Sequence, residues 1–184
     1  MHASKEMMNM RLFFGLTLPD DVRRAADDCA RRARTAIAGR YAPAENYHIT
    51  LAFLGEVEES RLDEACAVLA REIAAHPAPV LTLDGLSHFG RAQNGILIIR
   101  VHAAPSLDAL HGRLIRALHA SGLPADPGPF SPHITLARHA VVPDTLPDCP
   151  PLSFTAHTAC VFISARDGEN VLRYTPVFQT SFSN

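Results

Sequence analysis

The sequence predicts an α+β fold built as two related lobes around a cleft, and three observations carry that expectation. The tetrapeptide His48-Ile49-Thr50-Leu51 recurs 85 residues later as His133-Ile134-Thr135-Leu136. A strand-like run precedes each copy at a matched distance, 34 residues from Phe14 to His48 and 34 from Ile99 to His133. Amphipathic helical segments fill the intervals. A given tetrapeptide of this composition occurs at a position with a probability on the order of 10^-5, so internal duplication explains the recurrence better than chance does.

The elements follow in order from periodicity and punctuation. Leu12 to Leu18 is a buried-strand run, and Pro19-Asp20 opens a helix whose apolar positions Val22, Ala25, Ala26, Cys29 and Ala33 recur at helical spacing. The first motif strand runs from about Tyr47 to Leu54 and is expected to end at Gly55. Ser60-Arg61-Leu62-Asp63 reads as a capping box before a second helix with Leu62, Ala65, Cys66, Leu69 and Ile73 on one face. Strands follow over about Val80–Leu86 and Ile96–Val101.

In the second half, Pro105-Ser106 opens a helix with Leu107, Leu110, Leu114 and Leu118 in register, Gly122 stops it, and the second motif strand begins after Pro132. Val141 to Pro151 holds four prolines and reads as loop. Two closing strands are expected over about Leu152–Ser164 and Tyr174–Phe182, joined by a turn at Asp167-Gly168.

At 184 residues, 47% hydrophobic and 20% charged, the chain is the size and composition of one globular domain with a real core. A net charge of −2 and a pI near 6.5 exclude a protein that coats long nucleic acid, which needs clustered Lys and Arg, and leave a small anion or an RNA end as the ligand. Cys29, Cys66, Cys149 and Cys160 lack CxxC spacing and read as buried reduced thiols of a cytoplasmic protein. The apolar run Leu12–Leu18 lacks the cleavage site of a signal peptide, and no stretch is long enough to span a bilayer.

The repeated motif has a chemical meaning. In a strand, residues i and i+2 share a face, so each copy presents an imidazole and a hydroxyl together while Ile49, Leu51, Ile134 and Leu136 face the core. Opening a phosphodiester by in-line attack needs a base for the nucleophile and an acid for the leaving oxygen on the opposite side. Two imidazoles on opposed strands meet that demand near neutral pH. Thr50 and Thr135 would donate hydroxyl hydrogen bonds to the non-bridging oxygens, where charge must be stabilised. No metal is required, and neither motif carries a carboxylate to hold one. Arg138, five residues after His133, adds a positive charge at the cleft. The other histidines, His2, His76, His88, His102, His111, His119, His139 and His157, are expected at surface or helix-face positions.

Beyond the two motifs, the chain shares longer stretches with a known family. Arg11-Leu12-Phe13-Phe14 with Leu18-Pro19, Glu45-Asn46-Tyr47-His48-Ile49-Thr50-Leu51 running into Phe53-Leu54-Gly55-Glu56, and Pro129-Phe130 with Pro132-His133-Ile134-Thr135-Leu136-Ala137-Arg138 resemble the 2H phosphoesterase superfamily. Within it they resemble the RNA 2′,3′-cyclic phosphodiesterase branch, called LigT-like or ThpR-like. The resemblance covers nearly everything from Met10 to Phe182. It implies two antiparallel sheets facing a central cleft with helices outside, the N- and C-terminal segments sharing one lobe. It makes 10–184 a single bilobal domain and 1–9 a flexible, dispensable extension.

The resemblance further implies metal-independent hydrolysis of a ribonucleoside 2′,3′-cyclic phosphate to a 2′-phosphate, with His48 as general acid toward the 3′-oxygen and His133 as general base toward water. It implies that Phe53 stacks on the nucleobase and that Arg138 lies near the substrate, although strict alternation points both away from their histidine unless a bulge intervenes. Expected partners are RNA ends or nucleotides carrying a 2′,3′-cyclic phosphate, with no cofactor, metal, membrane or second subunit. The alternatives are a 2′-5′ RNA ligase or 2′-5′ oligonucleotide phosphodiesterase, and a non-catalytic module that binds nucleotides or RNA ends.

Overall fold

Alternating apolar residues force each motif strand to bury one face, and the chain satisfies this by laying both strands in twisted antiparallel sheets backed by helices. The computed structural model describes residues 9–103 and 105–183. In chain order these hold β1 (Asn9–Thr17), α1 (Asp20–Ala33), β2 (Arg40–Tyr41), β3 (His48–Glu58), α2 (Leu62–Ala74), β4 (Val80–Phe89), β5 (Gly95–Ala103), α3 (Pro105–Ala120), β6 (His133–Ala140), β7 (Leu152–Thr155), β8 (Thr158–Arg166) and β9 (Leu172–Ser181). One sheet has the order β3-β1-β8-β9 and the other β2-β6-β5-β4-β7, every named pair antiparallel. The first sheet joins the N-terminal strands to the last two, so the lobes interleave as the resemblance implies.

The core is continuous from lobe to lobe. Leu12, Phe14 and Leu16 of β1, Ile49 and Leu51 of β3, Ile134 and Leu136 of β6, and the helix stripes Val22-Ala26-Cys29, Ala65-Leu69-Ile73 and Leu107-Leu110-Leu114-Leu118 belong to one buried cluster. Sealing these aliphatic faces from water is the main favourable term for the fold. A second, small cluster of Phe13, Cys160 and Phe162 lies apart from that core, because alternation points Phe13 away from Leu12 and Phe14. Gly122, at φ +65°, ends α3 as expected, with the Gly122 and Leu123 amides returning to the carbonyls of His119 and Leu118.

Both motif strands carry the same irregularity. Opposite β1, Phe14 pairs with Ala52 but Gly15 with Thr50, leaving Leu51 as an extra residue; opposite β5, Leu97 pairs with Ala137 but Ile98 with Thr135, leaving Leu136 extra. The chain repeat extends through these bulges, as His-Ile-Thr-Leu-Ala in both copies. Each bulge frees a carbonyl from the ladder, and each is satisfied from outside the pair. The His111 Nδ1–H on α3 donates to Leu51 O at 2.7 Å, and the Ala42 amide donates to Leu136 O at 2.8 Å.

Several expectations are corrected. Gly55 does not end the first motif strand; at φ +74° it accommodates a further irregularity, with Leu54 the extra residue, and β3 continues to Glu58. The Ser60 capping box does not form: Ser60 Oγ turns back to Glu58 Oε2 at 3.4 Å, a short 3-10 turn precedes α2, and no side chain caps that helix. The expected Leu152–Ser164 strand is two strands, β7 on the edge of one sheet and β8 inside the other, because the chain crosses between lobes at Ala156-His157.

The equal 34-residue spacing compares non-equivalent positions. Leu16 and Ile99 both stand opposite the motif isoleucine, so the true intervals to the histidine are 32 and 34 residues. His76 is buried rather than exposed, with Nδ1 and Nε2 facing the carbonyls of Pro77 and Ser106. Asn9, assigned to the extension, is the first residue of β1; the rest of that extension lies outside the described residues. No helix among the described residues is long and apolar enough to cross a membrane.

The cysteine expectation fails for one pair. Cys29 of α1 and Cys149 of the proline-rich loop form a disulfide across 120 residues of sequence, with Cα atoms 5.5 Å apart, while Cys66 and Cys160 are free thiols. The spacing of cysteines along the chain carries no trace of this pairing, which depends on where the loop returns to α1. Thiol titration in denaturant should therefore find two reactive cysteines before reduction and four after it; four before reduction would show the pair open. Replacing His111 by Ala strands the Leu51 carbonyl, and urea unfolding should record a loss of about 1–3 kcal/mol.

Candidate active site

The bulges decide which motif side chains face the space between the sheets. Before each bulge, His and Thr point to the cleft and Ile and Leu to the core; after it the phase shifts by one, so Ala52 and Ala137 are buried and Phe53 and Arg138 return to the cleft face. Phe53 pairs directly with Phe13, their rings 5.9 Å apart, and is 49% exposed. The bulges thus remove the objection from strand alternation: each residue lies on the strand face of its motif histidine.

A cavity of about 290 Å³ opens between the sheets, and its lining includes His48, Thr135, Arg138, Arg40, Arg166 and Tyr174. Thr50 is tied to this lining through His48, whose Nε2 lies 3.0 Å from Thr50 Oγ1. His133 is not in the lining itself; it stands at the start of β6, on the strand face of Thr135 and Arg138, close enough for its charge to bear on His48. Phe53 borders a separate shallow groove with Arg11, Gly55, Pro124 and Asp126.

Both imidazoles are held by one device. His48 Nδ1–H donates to Asn46 O at 2.7 Å, and His133 Nδ1–H donates to Ser131 O at 2.7 Å, each carbonyl two residues upstream. A neutral ring so clamped carries its proton on Nδ1 and leaves Nε2 as the working nitrogen. Asn46 does more than this: its buried side chain donates to Leu172 O at 2.7 Å and accepts from the Tyr174 amide at 3.3 Å, pinning β9 beside the motif. Gly15 makes room for the ring, since a Cβ there would lie 3.3 Å from His48 Cδ2 and from Phe162 Cε2.

The electrostatics of the two rings differ in degree. His48 sits among Phe13, Tyr174 and Phe162, at ring distances of 4.7, 5.0 and 5.7 Å. That burial pushes its pKa down to about 4, aided by the charges of His133 and Arg138 and opposed by the Asn46 hydrogen bond. His133 is less enclosed, with Phe89 edge-on at 4.9 Å; burial also lowers its pKa, with Arg138 adding to the effect and the Ser131 hydrogen bond opposing it. Both rings are therefore neutral in the free protein near pH 7, in a pocket where cations repel one another and an anion would relieve all of them.

Asn46, Gly15, Phe162, Tyr174 and Arg40 were not found as site residues from the sequence. Asn46 alone had a local signal, since it lies in the stretch that carries the family resemblance; the others reach the site only through strand pairing.

Comparison with known proteins places this fold in a family. The family model of the 2′-5′ RNA ligase superfamily matches residues 18–168. The RNA 2′,3′-cyclic phosphodiesterase of Escherichia coli (strain K12) is 32% identical over 169 residues, covering 91% of this chain and 93% of that one. One from Geobacillus stearothermophilus is 33% identical over 135 residues, 72% of this chain, but the chain spans only 43% of that protein's length. The crystal structure of Escherichia coli LigT complexed with 3′-AMP superposes with a TM-score of 0.78 at 29% identity, covering 96% of this chain and 100% of that one. With a family model that matches most of the chain and a fold shared along nearly all of it, the chain belongs to the 2′-5′ RNA ligase superfamily, the 2H phosphoesterases of the sequence resemblance.

Proposed function

We propose that this protein is an RNA 2′,3′-cyclic phosphodiesterase that hydrolyses a terminal 2′,3′-cyclic phosphate to a 2′-phosphate. The observation that carries the reading is the pair of equivalent imidazoles, each anchored through Nδ1 to a carbonyl two residues upstream, on two bulged strands that face one cleft. The relatives' names and the nucleotide held by Escherichia coli LigT support it.

In this mechanism a water attacks phosphorus as His133 Nε2 takes its proton, the bond from phosphorus to the 3′-oxygen breaks, and protonated His48 delivers the Nε2 proton to that oxygen. Thr50 and Thr135 donate to the non-bridging oxygens, and Arg138 offsets their charge. Phe53 offers a face for the nucleobase. The reaction needs no metal, and the protein acts as a monomer in the cytoplasm, a location that must accommodate the Cys29–Cys149 pair. The same two groups run in reverse would join 2′-5′ ends, but water at its bulk concentration favours hydrolysis.

His48 has to carry a proton that its surroundings disfavour. Bound phosphate supplies the missing counter-charge, so substrate raises the pKa that burial lowers. With 2′,3′-cyclic AMP, phosphorus NMR should identify the 2′-phosphate as product. His48→Ala and His133→Ala should each reduce kcat by about 10²–10⁴-fold with unchanged circular dichroism, and full turnover in either variant would end the proposal.

The pH profile gives an independent check. Because kcat/KM reports the free protein and both histidines titrate below 6.5 there, its maximum should fall on the acid side of pH 6.5. The kcat maximum should lie at higher pH, where bound anion holds the His48 proton. Coincident maxima above neutrality would contradict the proposed electrostatics.

A further inference from the structure

Arg40 and Arg138 stand directly opposite each other across the β2–β6 pair, so their side chains share a face. Like charges in that position repel, and among the described residues neither guanidinium has an ion pair or a side-chain hydrogen bond to offset it. Both are exposed into the same cavity as His48 and Thr135. Arg166, at the end of β8 in the other lobe, lines that cavity as well and is held by a 2.8 Å hydrogen bond to Asn170 O. Three arginines from two sheets therefore line one space whose lining residues include no carboxylate.

One reacting phosphate does not account for all three. Arg138 lies on the motif strand itself, and its charge bears on both imidazoles. Arg40 lies one strand farther out, on the sheet edge, and Arg166 faces it from the opposite sheet. We infer that Arg40 and Arg166, with the outer side of Arg138, form a second anion subsite that takes the phosphate on the 5′-oxygen of the nucleotide bearing the cyclic phosphate, and so select an RNA end over a free mononucleotide.

The inference rests on the proposed phosphodiesterase reading and narrows its substrate class to a chain of at least two nucleotides. Guanidinium forks suit this task because they bind phosphate oxygens in pairs and stay charged at every relevant pH. Arg40, on a two-residue edge strand, buries nothing that the core depends on, so its replacement tests binding without threatening the fold.

Calorimetry with adenosine 2′-monophosphate and adenosine 2′,5′-bisphosphate reads the subsite without turnover. The second phosphate should tighten binding to the wild type by about tenfold or more, and Arg40→Gln should lose most of that gain. Arg23→Gln, which removes the same charge from the outer face of α1, should keep it. No gain in the wild type, or a gain that survives Arg40→Gln, would overturn the subsite.

Kinetics then separate the two sources of a 5′-phosphate. A dinucleotide ending in a 2′,3′-cyclic phosphate should exceed unphosphorylated 2′,3′-cyclic AMP in kcat/KM by about tenfold. If only the 5′-phosphorylated mononucleotide gains, the selection for an RNA end is wrong. A binding gain without hydrolysis of any cyclic phosphate would instead remove the phosphodiesterase reading and leave the subsite standing.

Discussion

Two extra residues, Leu51 and Leu136, set the geometry on which the site depends. A regular strand carrying His-Ile-Thr-Leu-Ala would send the sixth residue to the core with Ile and Leu, burying an aromatic ring in one lobe and a guanidinium in the other. The bulge reverses the phase between Leu and Ala, and the core receives the small alanine while Phe53 and Arg138 reach the cleft. The two carbonyls released from the ladders would each cost about 1–3 kcal/mol if left unpaired. His111 and the Ala42 amide prevent that, one for each motif strand. A helix-face histidine outside the repeated motif is thus part of what holds the motif strand in shape.

The two lobes repeat a plan and depart from it where the chemistry differs. Each clamps Nδ1 of its histidine to the carbonyl two residues before it, which selects one tautomer and frees Nε2. Around that shared device the surroundings diverge. Gly15 lets the His48 ring lie back among Phe13, Phe162 and Tyr174, whereas the equivalent position near His133 is Ile98. The result is one imidazole enclosed by three aromatic rings and another with a single aromatic ring edge-on against it. An anion between them changes the balance of both, because it adds the counter-charge that neither the aromatic walls nor the arginines provide.

Arginine placement continues the same logic outward. Arg61 shows what the fold does with a guanidinium it uses for structure: it reaches Ser121 O and Gly122 O, capping the carbonyl end of α3, and pairs with Glu64. Arg113 and Arg71 likewise pair with the buried Glu72. Arg40 and Arg138 have no such partners among the described residues and face each other across a strand pair. Both side chains are exposed, so water screens their repulsion, and an anion in the cavity beside them would offset it further.

Local pattern was enough to reveal the repeated motif, the alternation that divides each strand between core and cleft, the three helix stripes and the glycine stop after α3, because each depends on residues within a few positions of one another. Gly55 and Ser60 show the limit of such rules: a glycine that fits a strand end also fits a bulge, and a serine placed to accept from the helix amides instead donates to Glu58. What pairs distant segments could come only from the folded chain. The Cys29–Cys149 link, the aromatic enclosure of His48 and the meeting of Arg40 with Arg138 all join residues separated by tens to more than a hundred positions. Their proximity is set by strand order and register, which follow from burying both sheets at once and leave no periodic mark along the sequence.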